Sequence, residues 1–313
     1  MSKFVIIPDP TSDINSELRN RFSVPEIVPG TIIINQEVYN YSGNWDKISS
    51  KDFWAMLKNK KNVINTGAPS PEVFKKSFEK YLKQGLDVLS VTISGALSAT
   101  YNFAIQAANE LMEKYPERKV LVIDSRRYAA AELLLVTYAS KFQEEGLDIQ
   151  QTYQKLEEIK NCLHQAGPMD DLMFLASRKR ITNTKAFMGQ LIGVNPIGEV
   201  DKDGLTKVLC KVKGSKKALA TSLEYMKRTI INPEEQIIII SHSDREEKAK
   251  LYKEMIEQEL KVKEIILIEV GMACAPNIGP GLCAAYYVGK PISDNLVGIP
   301  QSIDSCVIKS TPF

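Results

Sequence analysis

The sequence predicts two α/β domains: a first with a largely parallel sheet covered by helices on both faces, and a second with a mixed sheet. Three observations carry this expectation. Short apolar runs alternate with helical patterns through the first half, the order that folds into a helix-covered parallel sheet. The second half breaks that order with a hairpin at Val200–Val208, where Asp203-Gly204 supplies the positive φ angles of a tight turn. At 313 residues, either half is long enough to bury a core of its own.

Phe4–Ile7, Ile27–Ile34, Val88–Ile93 and Val120–Ile123 are compact apolar runs suited to buried strands. Between them, Ser70-Pro71-Glu72 opens a helix with an N-cap residue, a first-turn proline and a carboxylate near the positive helix end. Gly85 closes it. A second helix is expected from about Tyr101 to Tyr115, ahead of Pro116, and a third from about Ala129 to Glu145, closed by Gly146. A further helix is expected over 149–164, after which Gln165-Ala166-Gly167-Pro168 reads as the boundary between domains 1–165 and 166–313. In the second domain a basic helix is expected from Ser215, then strand Gln236–Ser241, helix Asp244–Leu260, strand Glu264–Val270 and an apolar helical stretch Leu282–Val288.

Composition excludes several functions. A formal net charge of +2 lacks the basic footprint of a nucleic-acid binder. No run approaches the roughly 18 uncharged apolar residues of a membrane span; the richest stretch, 129–140, carries Glu132. The apolar run Phe4–Ile7 is too short for a signal peptide. The five cysteines form no CxxC pair and cannot all pair within one chain, which suits a reduced, cytoplasmic protein. No cluster has metal-ligand spacing, and no GxxxxGK[ST] is present.

Four polar loops follow strands, where open α/β sheets bind ligands: Asp9–Asp13, Thr66–Ser70, Ser94–Thr100 and Asp124–Arg126. Each alone reads as a helix cap. The 94–100 segment goes further, because it offers three hydroxyls where one suffices, with Gly95, Ala96 and Ala99 leaving the backbone approachable. Hydroxyls with helix-start N–H groups suit a single carboxylate and no formal positive charge. Asn277-Ile278-Gly279-Pro280-Gly281 is a tight bend of the same kind. Ser98 does not sit in a GxSxG elbow. The two histidines, His164 and His242, read as surface or hydrogen-bonded residues rather than as a catalytic base. Lys213–Lys217 reads as a solvated basic face or a surface for an acidic partner or phosphate.

Taken together, these loops resemble the DegV family of bacterial fatty-acid-binding proteins, which present acyl chains to a fatty acid kinase. Residues 7–13 are similar to the family's "TDSxxD" element, Thr66–Ser70 to "TSQPS", Ile93–Thr100 to "ISSxLSGT", Val122–Ser125 to "VIDS" and Asn277–Gly281 to "HxGPG". The resemblance implies a two-domain DegV-like fold with a three-layer α/β/α first domain, and a long-chain fatty acid in an internal tunnel near the domain interface. It implies Thr66 and Ser98 as the carboxylate ligands, with Gly67, Ser94, Gly95, Thr100, Asn277 and Gly279 supporting the head-group loops. Arg180, Lys213 and Asn277 fall where the family faces its kinase. The implied protein is a carrier without catalytic residues, cofactor or metal. The competing readings are a carrier-derived sensor of another amphiphile and a small-molecule acyl or phosphoryl enzyme.

The chain departs from the family at marked places. Asn277 stands for the histidine of "HxGPG", and Arg178-Lys179-Arg180-Ile181-Thr182 keeps the arginine of "GGRIS" but neither glycine. The Lys-Pro pair after that element becomes Asn195-Pro196, and Lys213 replaces the arginine of "KxRTxKKA". Ala99 replaces the glycine of "LSGT", and Gly67-Ala68 the Ser-Gln of "TSQPS". Asn277 can donate a hydrogen bond but cannot be protonated, and Lys213 lacks the bidentate fork of arginine. Lipid binding is thus expected to be kept and transfer to a kinase weakened or altered.

Overall fold

The computed structural model describes residues 3–42, 45, 48–170, 174, 177–178 and 194–292. They form two compact units, Met1–Lys160 with Gly271–Pro276, and Asn161–Val270 with Asn277–Phe313.

In the first unit, β1 (Phe4–Pro8), β5 (Asp87–Thr92) and β6 (Val120–Asp124) form a parallel sheet in the order β1-β5-β6. The central strand β5 is buried throughout, so both its faces must be covered, and Val88, Leu89 and Val91 supply the apolar contacts while Thr92 Oγ1 donates to the Ile123 carbonyl. One face carries α3 (Pro71–Leu82) and α4 (Thr100–Lys114), where Phe74, Phe78, Ala104 and Ala108 pack on Ile7, Val88 and Val122. The other carries α5 (Ala130–Glu144) and α6 (Ile149–Ile159). The expected three layers are present. Asp148 caps α6 with a full capping box, its side chain accepting from Gln151 N–H while Gln151 reaches back to the Asp148 N–H.

A second sheet in this unit is antiparallel, in the order β3-β2-β4, with β2 Gly30–Ile34, β3 Glu37–Tyr41 and β4 Ile64–Gly67. The 27–34 run therefore contributes its last five residues to an antiparallel sheet rather than its whole length to the parallel one. Its hairpin turns at Asn35-Gln36, both at positive φ (49° and 76°), the geometry whose twist matches paired strands. Two further helices belong here, α1 (Ser16–Arg21) and α2 (Ser50–Lys58), capped by the side chains of Asn15 and Ser49.

The second unit holds one six-stranded mixed sheet in the order β11-β10-β12-β7-β8-β9. Its strands are β7 Leu163–Pro168, β8 Val194–Val200, β9 Thr206–Lys213, β10 Ile237–His242, β11 Glu264–Glu269 and β12 Cys283–Val288. Only β10 and β11 run parallel. Helices α7 (Ser215–Thr229) and α8 (Glu246–Glu259) cover one face, with Ala218, Leu219, Tyr252 and Ile256 against Ala166, Ile238, Ile240 and Tyr287. A four-residue helix α9 (Ala275–Ile278) precedes β12.

Three expectations change here. Leu282–Val288 is strand, not helix; its six strand residues are all buried between β10 and β7. The helix expected to 164 ends at Ile159, and a short 3-10 turn Lys160–Cys162 leads into β7. Gln165–Pro168 is the last four residues of β7, and Gly167 is needed there because an added Cβ would lie 2.3 Å from the Ala284 Cα. Among the described residues, no helix is long and apolar enough to cross a membrane.

Candidate functional site

The strand ends of the parallel sheet carry the hydroxyl loops. After β5, the chain folds into a compact turn in which the Ser94 carbonyl accepts from Leu97 N–H (2.9 Å) and Ser98 N–H (3.2 Å). Ser94 is fully buried, and its Oγ accepts from Ala96 N–H at 3.3 Å. Ser98, half-buried, lies with its Oγ 2.8 Å from Thr100 Oγ1 and accepts from Thr100 N–H at 3.3 Å. The nominal N-cap residue of α4, Ala99, has no side chain able to cap. Ser98 thus takes one of the N–H groups that a helix start leaves without an intrahelical partner. The turn joins three hydroxyls to the positive end of a helix, a favourable setting for one negative charge.

Carboxylates tie this turn to its neighbours. Asp124 accepts from Gly95 N–H (3.2 Å) and Arg126 N–H (2.9 Å) through Oδ1. Gly95 sits close against this carboxylate: an added Cβ would lie 3.2 Å from Asp124 Oδ2, a tight contact. Asp9 accepts from Ile93 N–H at 2.8 Å with Oδ2 and from Thr11 N–H with Oδ1, which also meets the Thr11 hydroxyl. Thr11 Oγ1 also lies 2.7 Å from Glu132 Oε2; with a single hydroxyl hydrogen it donates to one of the two carboxyls and accepts from the other when that one is protonated. Asp13 accepts from Gly271 N–H at 2.8 Å, and the Cys274 thiol donates to the Thr11 carbonyl at 3.4 Å.

Asp9, Asp13 and Glu132 are all buried. Desolvation dominates each: it raises Asp9 and Glu132 above the usual carboxylate range and lifts Asp13 to about 8. It also pushes the Cys274 thiol and the Tyr41 phenol well up. This layer of buried carboxyls beneath the loops was not among the expected site residues. In sequence Asp9 and Asp13 belong to one of the four candidate loops, with nothing to mark them as buried carboxyls; the available signal was Glu132, a lone charge in an apolar helix.

Thr66 lies in β4 opposite Ile32 of β2, half-buried, with exposed Gly67 following it. Thr66, Gly67, Ser94, Gly95, Ser98 and Thr100 therefore all belong to the first unit.

The second unit holds Asn277, Gly279 and Lys213. Asn277 sits in α9 and leads into the 279–281 bend, where Gly279 (φ 75°) and Gly281 (φ 109°) both need the freedom of glycine. An added Cβ at Gly279 would lie 2.5 Å from the Phe174 ring. Gly281 N–H donates to the Ser243 carbonyl (2.9 Å), Leu282 N–H to Ser243 Oγ (2.8 Å), and Asp170 N–H to the Gly281 carbonyl (3.1 Å). Asp170 in turn accepts from Arg245 Nε at 2.9 Å and Lys248 Nζ at 2.7 Å. Sequence reasoning passed over this cationic pair, which lies beside the bend that carries Asn277. Lys213 is exposed at the end of β9, and Arg180 lies outside the described residues.

Both histidines are hydrogen-bonded. His164 is buried, with Nδ1 2.8 Å from Glu199 Oε2 and Nε2 2.7 Å from the Lys290 carbonyl. His242 Nδ1 accepts from Arg245 N–H at 3.4 Å, and burial lowers its affinity for a proton. No group of three or more His, Cys, Asp and Glu among the described residues is placed to hold a metal.

Residues 3–290 match the family model described as "Uncharacterised protein, DegV family". A DegV domain-containing protein of Clostridium perfringens is 32% identical over 92% of this chain and 98% of its own length. A DegV family protein from Thermus thermophilus, whose structure is described as one of fatty acid binding, superposes with a TM-score of 0.82 at 26% identity, over 92% of this chain and 99% of that one. The Fak B3 protein of Streptococcus pneumoniae, solved loaded with linoleic acid, shares the fold at 19% identity and a TM-score of 0.77, over 92% of this chain and all of that one. A match that runs from the first strand to the end of the last, at both the sequence and the backbone level, makes this chain a member of the DegV family.

Proposed function

We propose that the protein is a carrier of long-chain fatty acids, not itself an enzyme, with the acyl chain enclosed and its carboxylate held by Thr66 and Ser98. The observation that supports this most is the end-to-end likeness to the Thermus thermophilus fatty-acid binder, in a chain that keeps both hydroxyls. The energetics divide the work. Burying a methylene contributes roughly 0.8 kcal/mol, so about fourteen supply on the order of 11 kcal/mol gross. A hydrogen bond adds about 1–3 kcal/mol. The tail supplies affinity, and the hydroxyls fix which end points outward.

Organic extraction of the purified protein followed by mass spectrometry tests the proposal. The expected result is a fatty acid at near one per chain. Replacing Ser98 by Ala and Thr66 by Val together weakens binding about 30-fold or more without abolishing it, because two head-group hydrogen bonds of at least about 1 kcal/mol each are lost and the tail contacts stay. A protein that yields no fatty acid and takes up none on addition would overturn the proposal.

The carrier's partner in this reading is a fatty acid kinase, and Asn277 alters the exchange. An amide can orient an oxygen by hydrogen bonding but cannot accept and return a proton as a histidine can. Acyl-phosphate formation with a cognate kinase is therefore expected to be slower than with Asn277→His. Equal rates for the two proteins would remove Asn277 from the explanation. The same departure, with Lys213, favours a second reading in which the chain senses another amphiphile; a bound lipid that is not a fatty acid in the extract would select it.

A further inference from the structure

The first unit contains a half-open cleft of about 590 Å³ that lies apart from the hydroxyl loops. That volume is within the usual range of small-molecule sites. One wall is a stripe of α3 at helical spacing, Val73, Lys76, Ser77 and Lys80. The floor is the β3-β2-β4 sheet, through Thr31 and its cross-strand partner Asn40, whose side chains are hydrogen-bonded at 3.1 Å. Thr31 pairs with Gly67, and the neighbouring Ile32 with Thr66. Because successive side chains of a strand point to opposite faces, the cleft lies on the reverse of the sheet face that carries Thr66.

The cleft's charges are unbalanced. Arg19, Lys76 and Lys80 line it against a single carboxylate, Glu26. Lys80 is paired with Glu26 at 2.6 Å and rests over the Tyr81 ring. Lys76, exposed, makes no ion pair among the described residues. Arg19 donates one guanidinium nitrogen to the Pro25 carbonyl, while its Nε is shielded from solvent with no acceptor. A buried donor without a partner costs free energy, and the Arg19 side chain that carries it lines the cleft. Ile27, Pro29 and Val73 give the rest of the lining an apolar character.

We infer that this cleft binds a small organic phosphate. The phosphoryl oxygens would lie between Arg19 and Lys76, since guanidinium and ammonium donors each form strong charge-assisted bonds to phosphate, and the organic part would rest on Ile27, Pro29 and Val73. A phosphomonoester matches two available cations better than a monocarboxylate does, and its organic part can cover Ile27, Pro29 and Val73, which inorganic phosphate cannot. This site is independent of the fatty-acid reading: it uses other residues, on the other face of the sheet, and takes a different ligand class.

Titration of the full chain with phenyl phosphate, followed by calorimetry and by amide chemical shifts, tests the inference. Saturable binding is expected, with shifts clustered at Thr31, Asn40 and Lys76, and with inorganic phosphate and phenol each binding more weakly. Lys76→Glu is expected to weaken phenyl phosphate binding about tenfold or more, while its melting temperature and its extractable fatty acid stay at the wild-type values. No saturation in the millimolar range, shifts that map elsewhere, or undiminished binding to Lys76→Glu would each overturn it. The shift map on the unaltered protein decides the matter without any variant. The variant's fatty-acid content separates failure here from failure of the carrier reading.

Discussion

Glu199→Ala will destabilise the second unit by about 3–5 kcal/mol, the cost of removing one partner from a buried polar cluster. Glu199 is fully buried and accepts four close contacts. Its Oε1 takes Gln165 N–H at 2.8 Å and Val200 N–H at 2.7 Å. Its Oε2 lies 2.8 Å from His164 Nδ1 and accepts from the Tyr225 hydroxyl at 2.9 Å. Removing the carboxylate leaves two backbone N–H groups, a phenol and an imidazole in the interior without their acceptor. The His164 ring is held in place, its other nitrogen bonded to Lys290 and its plane stacked on Tyr287 at 5.4 Å, so the Tyr225 hydroxyl, 3.1 Å from Nδ1, is the one partner left to it there. Chemical denaturation followed in the second unit measures the loss, and an unchanged m-value would assign it to stability rather than to a changed unfolded state. A loss below about 1 kcal/mol would mean that water replaces the carboxylate at little cost.

Asp13→Asn is expected to act in the opposite direction, and only toward alkaline pH. Burial lifts the Asp13 carboxyl from 3.8 to about 8, so the folded protein keeps a proton that the unfolded chain releases near pH 4. The corresponding stability is fully present below that pH and is lost progressively as the pH rises to about 8. A difference of about four pKa units at about 1.4 kcal/mol each sets an upper bound on the order of 5 kcal/mol. Asparagine has no proton to lose, tolerates the positive φ of 55° at this position, and still offers an oxygen to the Gly271 N–H. The variant should match the wild type near pH 4 and exceed it increasingly up to pH 9. Some slope will remain, because Asp9 and Glu132 are raised in the same sense. Stability–pH curves that run parallel for the two proteins would show that Asp13 does not hold the proton.

The parts of the fold that were legible in sequence are those where one physical requirement governs a run. Val88–Ile93 is predominantly apolar, with only Ser90 and Thr92 polar, because helices cover both faces of β5. The hairpin between β8 and β9 was legible because Gly204 sits at a φ of 83° that few other residues accept. Leu282–Val288 was misread because a buried six-residue strand and a helix turn have the same composition, and the run is too short to show a period. Gln165–Pro168 was misread for a related reason. Its glycine looks like a break in the chain, whereas in the structure it lets β7 approach Ala284.

The hydroxyl loops were legible as loops, since Ser, Thr and Gly at strand ends have few other uses. What lies beneath them was not. Asp9 and Asp124 spend their oxygens on the N–H groups of other loops, and no spacing rule connects residues 84 or 29 positions apart. Arg245 and Lys248 looked like part of an ordinary charged helix start, and only the fold brings Asp170 to them.

The return of Gly271–Pro276 to the first unit bears on how the molecule can be cut. A fragment ending at Lys160 would contain the whole parallel sheet and still lack the Gly271 amide that Asp13 holds and the thiol that bonds the Thr11 carbonyl. The loop that follows β1 would then be released at two of its anchor points. The residues that complete the first unit are made more than a hundred positions after α6, the last helix described in it. A ribosome that has finished that helix has not yet finished that unit, and the loop can be fixed only once nearly all of the chain has been synthesised.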